Sequence, residues 1–322
     1  MTGHRHHRET IDMSGSDQKN LLRALAGAAA LALASTTACT AASADDAPEA
    51  TFSWLGTSGW RVDIGDSTLL VDPYVSRFDT GLAEGEFDPT TELTVDTDAV
   101  DEHTAGAETV LVTHSHWDHF TDVPHIAEAT GARVVGTWTT YNLARAFGVD
   151  TAQLAPVKGG EVLDFGDYAV EVVPSLHSRN ANYSMAFPGY RDEPPERPET
   201  IADLPEGDTL TFQVEVDDGP SVFFMGASDF VERDLEGLEP DVAMVAVPST
   251  DATHAYTHRL MEALDHPATV VPVHWDDFES PLENPVTAGL PDRLEKFVDE
   301  VQQVSPGTEV ITPEYLTPYT FD

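Results

Sequence analysis

The chain has 322 residues, 57 Asp+Glu against 16 Lys+Arg, a net charge of −41, 41% hydrophobic residues and one Cys. That length holds one large domain or two ordinary ones, with enough apolar residues to fill a core. The charge repels phosphate backbones and argues against nucleic acid as a partner, while a single Cys excludes a disulfide framework and any Cys-based zinc finger.

Residues 1–39 sum to +1, so the remainder carries −42. Lys19 and Arg23 precede the Ala/Leu-rich run Ala24 to Ala34, which is too short to cross a bilayer and has the pattern of a secretory signal. Thr36-Thr37-Ala38-Cys39 resembles a bacterial lipobox with Thr36 where Leu is usual, and would make Cys39 the lipidated mature N-terminus. Cleavage after Ala42-Ser43-Ala44 would instead release a soluble protein. The reading adopted is an exported, lipid-anchored form on the outer face of the cell membrane. Residues 40–50, small and acidic, form a tether, and residues 51–322 the domain.

From Thr51 short β-rich runs alternate with Gly, Asp and Pro. Strands are predicted at Phe52–Leu55, Arg61–Ile64, Thr68–Val71, Thr109–Val112 and Arg133–Val135. Further strands are predicted at Tyr168–Val173, Leu210–Val216, Val222–Met225, Val242–Val245 and Thr269–Val273. Helical periodicity covers Val123–Thr130, Thr139–Phe147, Tyr256–Leu264 and Pro291–Val304. Ser76–Ala107 and the proline-rich Pro188–Asp208 read as long loops. No repeat at a fixed period is visible. The order predicts an α/β layered domain with mixed sheets.

The predicted strand at Thr109–Val112 runs into His114-Ser115-His116-Trp117-Asp118-His119. Three imidazoles and a carboxylate within six residues, at the end of a buried strand, are costly unless something binds them, and this donor set suits zinc, iron or manganese. His114 and His116 can face one way in an extended turn, with Asp118 and His119 projecting beside them, so one segment could serve two ions.

Here the chain resembles the metallo-β-lactamase superfamily, whose signature is H-x-H-x-D-H after a strand. Leu69-Leu70-Val71-Asp72-Pro73 is similar to that family's early strand ending in Asp. Val173-Pro174-Ser175-Leu176-His177 and Val270-Val271-Pro272-Val273-His274-Trp275 are similar to the strands that deliver later ligands, and the opening Leu55-Gly56-Thr57-Ser58-Gly59-Trp60 is closest to a lactonase-like and phosphodiesterase-like branch. The resemblance implies an αββα sandwich of two mixed sheets flanked by helices. It implies one divalent ion on His114, His116 and His177 and a second on Asp118, His119 and His274, zinc first, with manganese or iron as alternatives. The implied reaction is hydrolysis of an ester, lactone or phosphodiester of a small substrate by a metal-bound hydroxide, with a second metal or Asp118 steadying the developing charge.

The family places a bridging Asp directly after the Gly that ends a strand. Here Phe223-Phe224-Met225-Gly226 is followed by Ala227-Ser228-Asp229, so Asp229 stands two places late, as a bridging ligand or as a cap before Phe230–Glu236. Asp72 either orients a ligating His from behind or begins an Asp-Pro turn. His254 and His258 could share a helical face, either toward solvent or toward the pocket, where His258 would protonate a leaving group. His103, His125 and His266 read as surface residues, and Trp117 and Trp275 as packing around the site. A diiron oxidoreductase of this fold would carry Glu where His116 stands, and the lack of Cys in the domain departs from the β-lactamase subclass with a Cys ligand. A non-catalytic or mononuclear metal-binding lipoprotein is the alternative if Asp229 does not bridge.

Overall fold

Successive residues of a strand point to opposite faces of the sheet, and in this chain both faces are apolar. Leu69 and Val71 enter one core and Leu70 another; Leu111 is likewise separated from Val110, and Val135 from Val134. Strands buried on both sides need a layer against each face. The structure, a computed structural model, describes residues 50–83 and 85–321. The predicted leader with Cys39, and the tether apart from Ala50, lie outside the described residues.

The first half supplies β1 (Ala50–Trp54), β2 (Trp60–Ile64), β3 (Ser67–Val71), α1 (Thr97–Thr104), β4 (Thr109–Leu111), α2 (Trp117–Phe120), α3 (Val123–Thr130), β5 (Arg133–Gly136), α4 (Trp138–Phe147) and β6 (Leu154–Pro156). The second supplies β7 (Val162–Asp164), β8 (Tyr168–Ser175), β9 (Thr209–Val216), β10 (Ser221–Met225), α5 (Glu232–Leu235), β11 (Val242–Ala246), α6 (Tyr256–Ala263), β12 (Thr269–Val273), α7 (Pro291–Val304), β13 (Glu309–Val310) and β14 (Pro318–Tyr319).

Two seven-stranded sheets result, in the orders β14-β1-β2-β3-β4-β5-β6 and β13-β12-β11-β10-β9-β8-β7. The first is antiparallel from β14 to β3 and parallel from β3 to β6. The second is antiparallel from β7 to β10 and parallel from β10 to β13. Between the sheets Phe52, Trp54 and Val62 meet Val170, Phe212 and Val214. On the outer face of the first sheet Val100, Ile126 and Leu143 of α1, α3 and α4 cover Leu70, Val110 and Val134. Leu260 and Met261 of α6 and Phe297 and Val301 of α7 bury against the second sheet. This is the αββα sandwich of two mixed sheets that the metallo-β-lactamase resemblance implied.

The predicted strands and helices are present to within one or two residues at each end. Missing from the prediction are β6, β7, β13 and β14, each of two or three residues and too short to display a period. Ser76–Ala107, predicted as loop, contains α1, whose N-cap Asp96 accepts from Ala99 N at 3.2 Å. Only Val100 and Thr104 of that helix are buried, so its apolar stripe is one i, i+4 pair. Pro188–Asp208 is irregular except for a 3₁₀ turn at Ile201–Asp203, closed by a Thr200/Asp203 capping box.

Candidate metal centre

In α/β sheets ligands bind beyond the carboxyl ends of the strands. The functional side chains gather at such ends: Asp72 after β3, His114–His119 after β4, Gly226 after β10 and His274 after β12, with His177 arriving from β8. His114, His116 and His177 form one group and Asp118, His119 and His274 a second, the ligand atoms within each group lying within 4.8 Å of one another. Ring centroids in the first group are 4.6–4.8 Å apart. His114 and His119, at 3.9 Å, join the two groups. Asp118 Oδ2 stands 3.3 Å from Nε2 of both His119 and His274.

Side chains behind the cluster decide which ring nitrogen faces forward. Asp72 Oδ2 accepts from His119 Nδ1 at 2.8 Å, leaving Nε2 to face the cluster. The Thr113 hydroxyl donates to the same carboxylate and lies 3.1 Å from His114 Nδ1, which therefore donates to it. His177 Nδ1 donates to Ser178 O at 2.9 Å, and His116 Nε2 to Ala186 O at 3.1 Å, so His177 presents Nε2 and His116 presents Nδ1. Nε2 of His114 is buried with no hydrogen-bond partner, whereas Nε2 of His119 faces only the Asp118 carboxylate. A buried polar atom left like that of His114 is costly, and a cation of the imidazole-binding kind satisfies it. Zinc, manganese and iron all fit this nitrogen-and-oxygen donor set.

The electrostatics agree with that fit. Burial lowers His114 well below its ordinary pKa, His116 to about 3 and His177 to about 4, so these three present lone pairs at neutral pH. Burial alone would lower His119 too, but the Asp118 and Asp72 carboxylates override it and hold it at about 10. Burial would raise Asp118, but His119 and His274 hold it well below the carboxylate range. His119 thus keeps a second proton, which an entering cation would displace.

Two backbone features make the cluster possible. A Cβ at Gly226 would run into the Thr113 hydroxyl and the Asp72 carboxylate, so only Gly fits behind His119. His274 adopts φ 64°, a left-handed conformation secured by its N–H bond to Thr57 O at 2.8 Å. The adjoining loop is tied from beneath. Arg77, buried in a strongly acidic chain, pairs with Asp276 at 2.9 Å and Asp277 at 3.3 Å, and Tyr315 donates to Asp276 at 2.9 Å. Both Asp276 oxygens also accept from Thr57 N.

Of the predicted site residues, His114, His116, Asp118, His119, His177 and His274 are brought together, with Asp72 in the orienting position. Asp229 is a correction: neither ligand group contains it. Its Oδ1 accepts from Phe230 N at 2.9 Å and its backbone pairs with Leu176. It caps no helix either, because α5 begins only at Glu232. Ala227, directly after Gly226, stands where the family's Asp is expected and lines the cavity beside His177 and His274. His258 as a proton donor is likewise corrected. Tyr256, Thr257, Leu260 and Met261 form the buried face of α6, and His258, on the exposed face, lines a separate cavity with Arg293 and Lys296. Trp117 and Trp275 pack as predicted, the first against Phe87 and Phe187 and the second against Trp54. Arg77, Asp276 and Tyr315 were missed by sequence reasoning; the Asp pair after His274-Trp275 was the available signal.

A family model described as the beta-lactamase superfamily domain matches residues 51–274. A UPF0173 metal-dependent hydrolase from Roseobacter denitrificans is 26% identical over 271 residues, covering 83% of this chain and 98% of its own. Igni18, described as a metallo hydrolase from Ignicoccus hospitalis, has a similar structure with TM-score 0.55 and 19% identity, over 85% of this chain and 98% of its own. The metallo-β-lactamase fold protein YhfI from Bacillus subtilis gives TM-score 0.53 and 13% identity, over 85% of this chain and 100% of its own. At these identities the two structural likenesses concern the fold.

Proposed function

The chain belongs to the β-lactamase superfamily, and from that premise we propose that it is a metal-dependent hydrolase cleaving an ester, lactone or phosphodiester of a small substrate. The observation that carries this reading is the buried, unpartnered Nε2 of His114, set with His116 and His177 in one three-residue ligand group beside a second formed by Asp118, His119 and His274. Divalent ions held by these groups would lower the pKa of water toward neutrality and polarise the scissile C=O or P=O. The chain's own residues do the rest. Asp72 holds the proton of His119 at Nδ1 and, through the Thr113 hydroxyl, fixes the tautomer of His114. Asp118, between His119 and His274, supplies the anionic ligand. No Ser or Cys nucleophile is needed.

Replacing His116 and His119 with Ala is expected to abolish both metal content and turnover across a panel of lactone, ester and phosphodiester substrates. Unchanged turnover in that double variant would overturn the reading. A second reading, a mononuclear or non-catalytic metal-binding protein, is favoured by one observation: Asp229 lies outside both groups and Ala227 has no carboxylate to offer. Metal analysis separates the two. Two ions per chain with turnover supports the binuclear hydrolase, whereas one tightly held ion without turnover supports the binder.

A further inference from the structure

A cavity of about 460 Å³ opens beside His177 and His274, a size common for small-molecule sites. Leu82, Ala227, Ala246, Val247, Phe278 and Leu290 make its apolar wall. Among the described residues no Lys or Arg lines it, and its one carboxylate is Asp277. That carboxylate is already engaged: it accepts from Arg77 Nη2, from the backbone N–H groups of Glu279 and Ser280, and from the Ser280 hydroxyl. The surrounding chain has a net charge of −41. An anionic arm placed in this cavity would shed its hydration and find no protein cation in return. An uncharged apolar arm gains by leaving water.

One side chain holds the outer wall. Glu279 accepts from Thr80 N at 2.8 Å, the Thr80 hydroxyl at 2.6 Å, Leu82 N at 3.0 Å and Ala83 N at 3.1 Å. It directly follows Phe278, so a single segment supplies part of the apolar wall and clamps the stretch that carries Leu82. Leu82, with 47% of its surface exposed, is held at the mouth by this clamp and not by burial.

Building on the hydrolase reading, we propose that this cavity takes the acyl arm of an uncharged ester or lactone, and that Glu279 is a positioning residue that fixes Leu82 and so sets the preferred arm length. The metal-loaded protein would be assayed on p-nitrophenyl acetate, butyrate and octanoate. The expected result is a rise in kcat/KM of at least about tenfold from acetate to octanoate. Leu82→Asp and Glu279→Gln should each compress the octanoate-to-acetate ratio at least about fivefold, chiefly through KM. A flat acyl profile, or an unchanged ratio in both variants, would overturn the proposal.

A binding arm makes the result independent of turnover. Calorimetric titration of the same protein with N,N-dimethyloctanamide and N,N-dimethylacetamide should show the octanamide binding tighter, with loss of that preference in Leu82→Asp. That outcome without any ester turnover would sink the hydrolase reading and leave the assignment of the cavity standing. No binding by the octanamide, or no preference for it over the acetamide, overturns the assignment itself.

Discussion

Asp72 joins three groups that must be ordered before any ligand can be: Thr113 N, the Thr113 hydroxyl and His119 Nδ1. It does so from the left-handed conformation, at φ 41°, directly after β3. Asp72→Asn can keep an acceptor for the backbone but weakens its hold on the His119 proton. It is expected to lower metal affinity by about 10–100-fold with little change in thermal midpoint, measured by competition with a chelator and by a melt. A parallel fall in stability at unchanged affinity would instead make Asp72 a purely structural residue. At this scale the sequence was legible wherever chemistry was written contiguously. His114–His119 announce themselves within six residues, and His177 and His274 each close an apolar run. Asp229 was misjudged because its backbone turn is set by pairing with Leu176, far off in sequence. Arg77 and Glu279 were invisible as site residues because their partners lie about 200 positions away.

Helix α3 shows how an element can be recruited for something other than its own stability. Its N-cap residue Asp122 makes no cap bond; the carboxylate reaches outward to Val75 N at 2.6 Å, Ser76 N at 2.9 Å and the Ser76 hydroxyl at 2.5 Å. The helix thereby anchors the segment that leads from Asp72 to Arg77. Burial raises the Asp122 pKa to about 6, the three donors offsetting only part of that cost. A carboxyl raised on folding contributes stability that is full below its unfolded value and is lost as pH climbs through the folded one. Relative to Asp122→Asn, the wild type should therefore lose up to about 3 kcal/mol between pH 4 and pH 7, measured by urea unfolding of both proteins at each pH. A difference that stays constant would show the carboxylate to be ionised throughout. Elements were legible in proportion to their length: Pro291–Val304 and Val123–Thr130 carry full periods and were placed to the residue. The face α6 presents was not, since it depends on which side meets the second sheet.

Over the whole molecule, the charge and the topology act separately. Apart from residues 1–39 the chain carries −42, and mutual repulsion on such a surface opposes compaction until salt screens it. The melting temperature is expected to rise by at least about 4 °C between 50 mM and 1 M NaCl, equivalent to about 1–2 kcal/mol for a domain of this size. A flat or falling profile would remove salt adaptation as the reason for the acidity. Among the described residues no helix is long and apolar enough to cross a membrane, and export with acylation at Cys39 remains our proposal for the leader. A layered α/β domain with mixed sheets could be read from the order of strands and helices, and the sandwich from the resemblance to the metallo-β-lactamase superfamily. That each sheet runs from antiparallel to parallel in the same way, one half after the other, could not, because no repeated residues mark it.

Each ligand group takes two members from the first half of the chain and one from the second: His114 and His116 with His177, and Asp118 and His119 with His274. A cation in either group would add a rivet between two half-molecules already joined by the apolar layer between the sheets, the Arg77–Asp276 pair and the returning strand β14. Stripping the metal would remove that rivet, so that loading state would be felt in how firmly one sheet is held against the other.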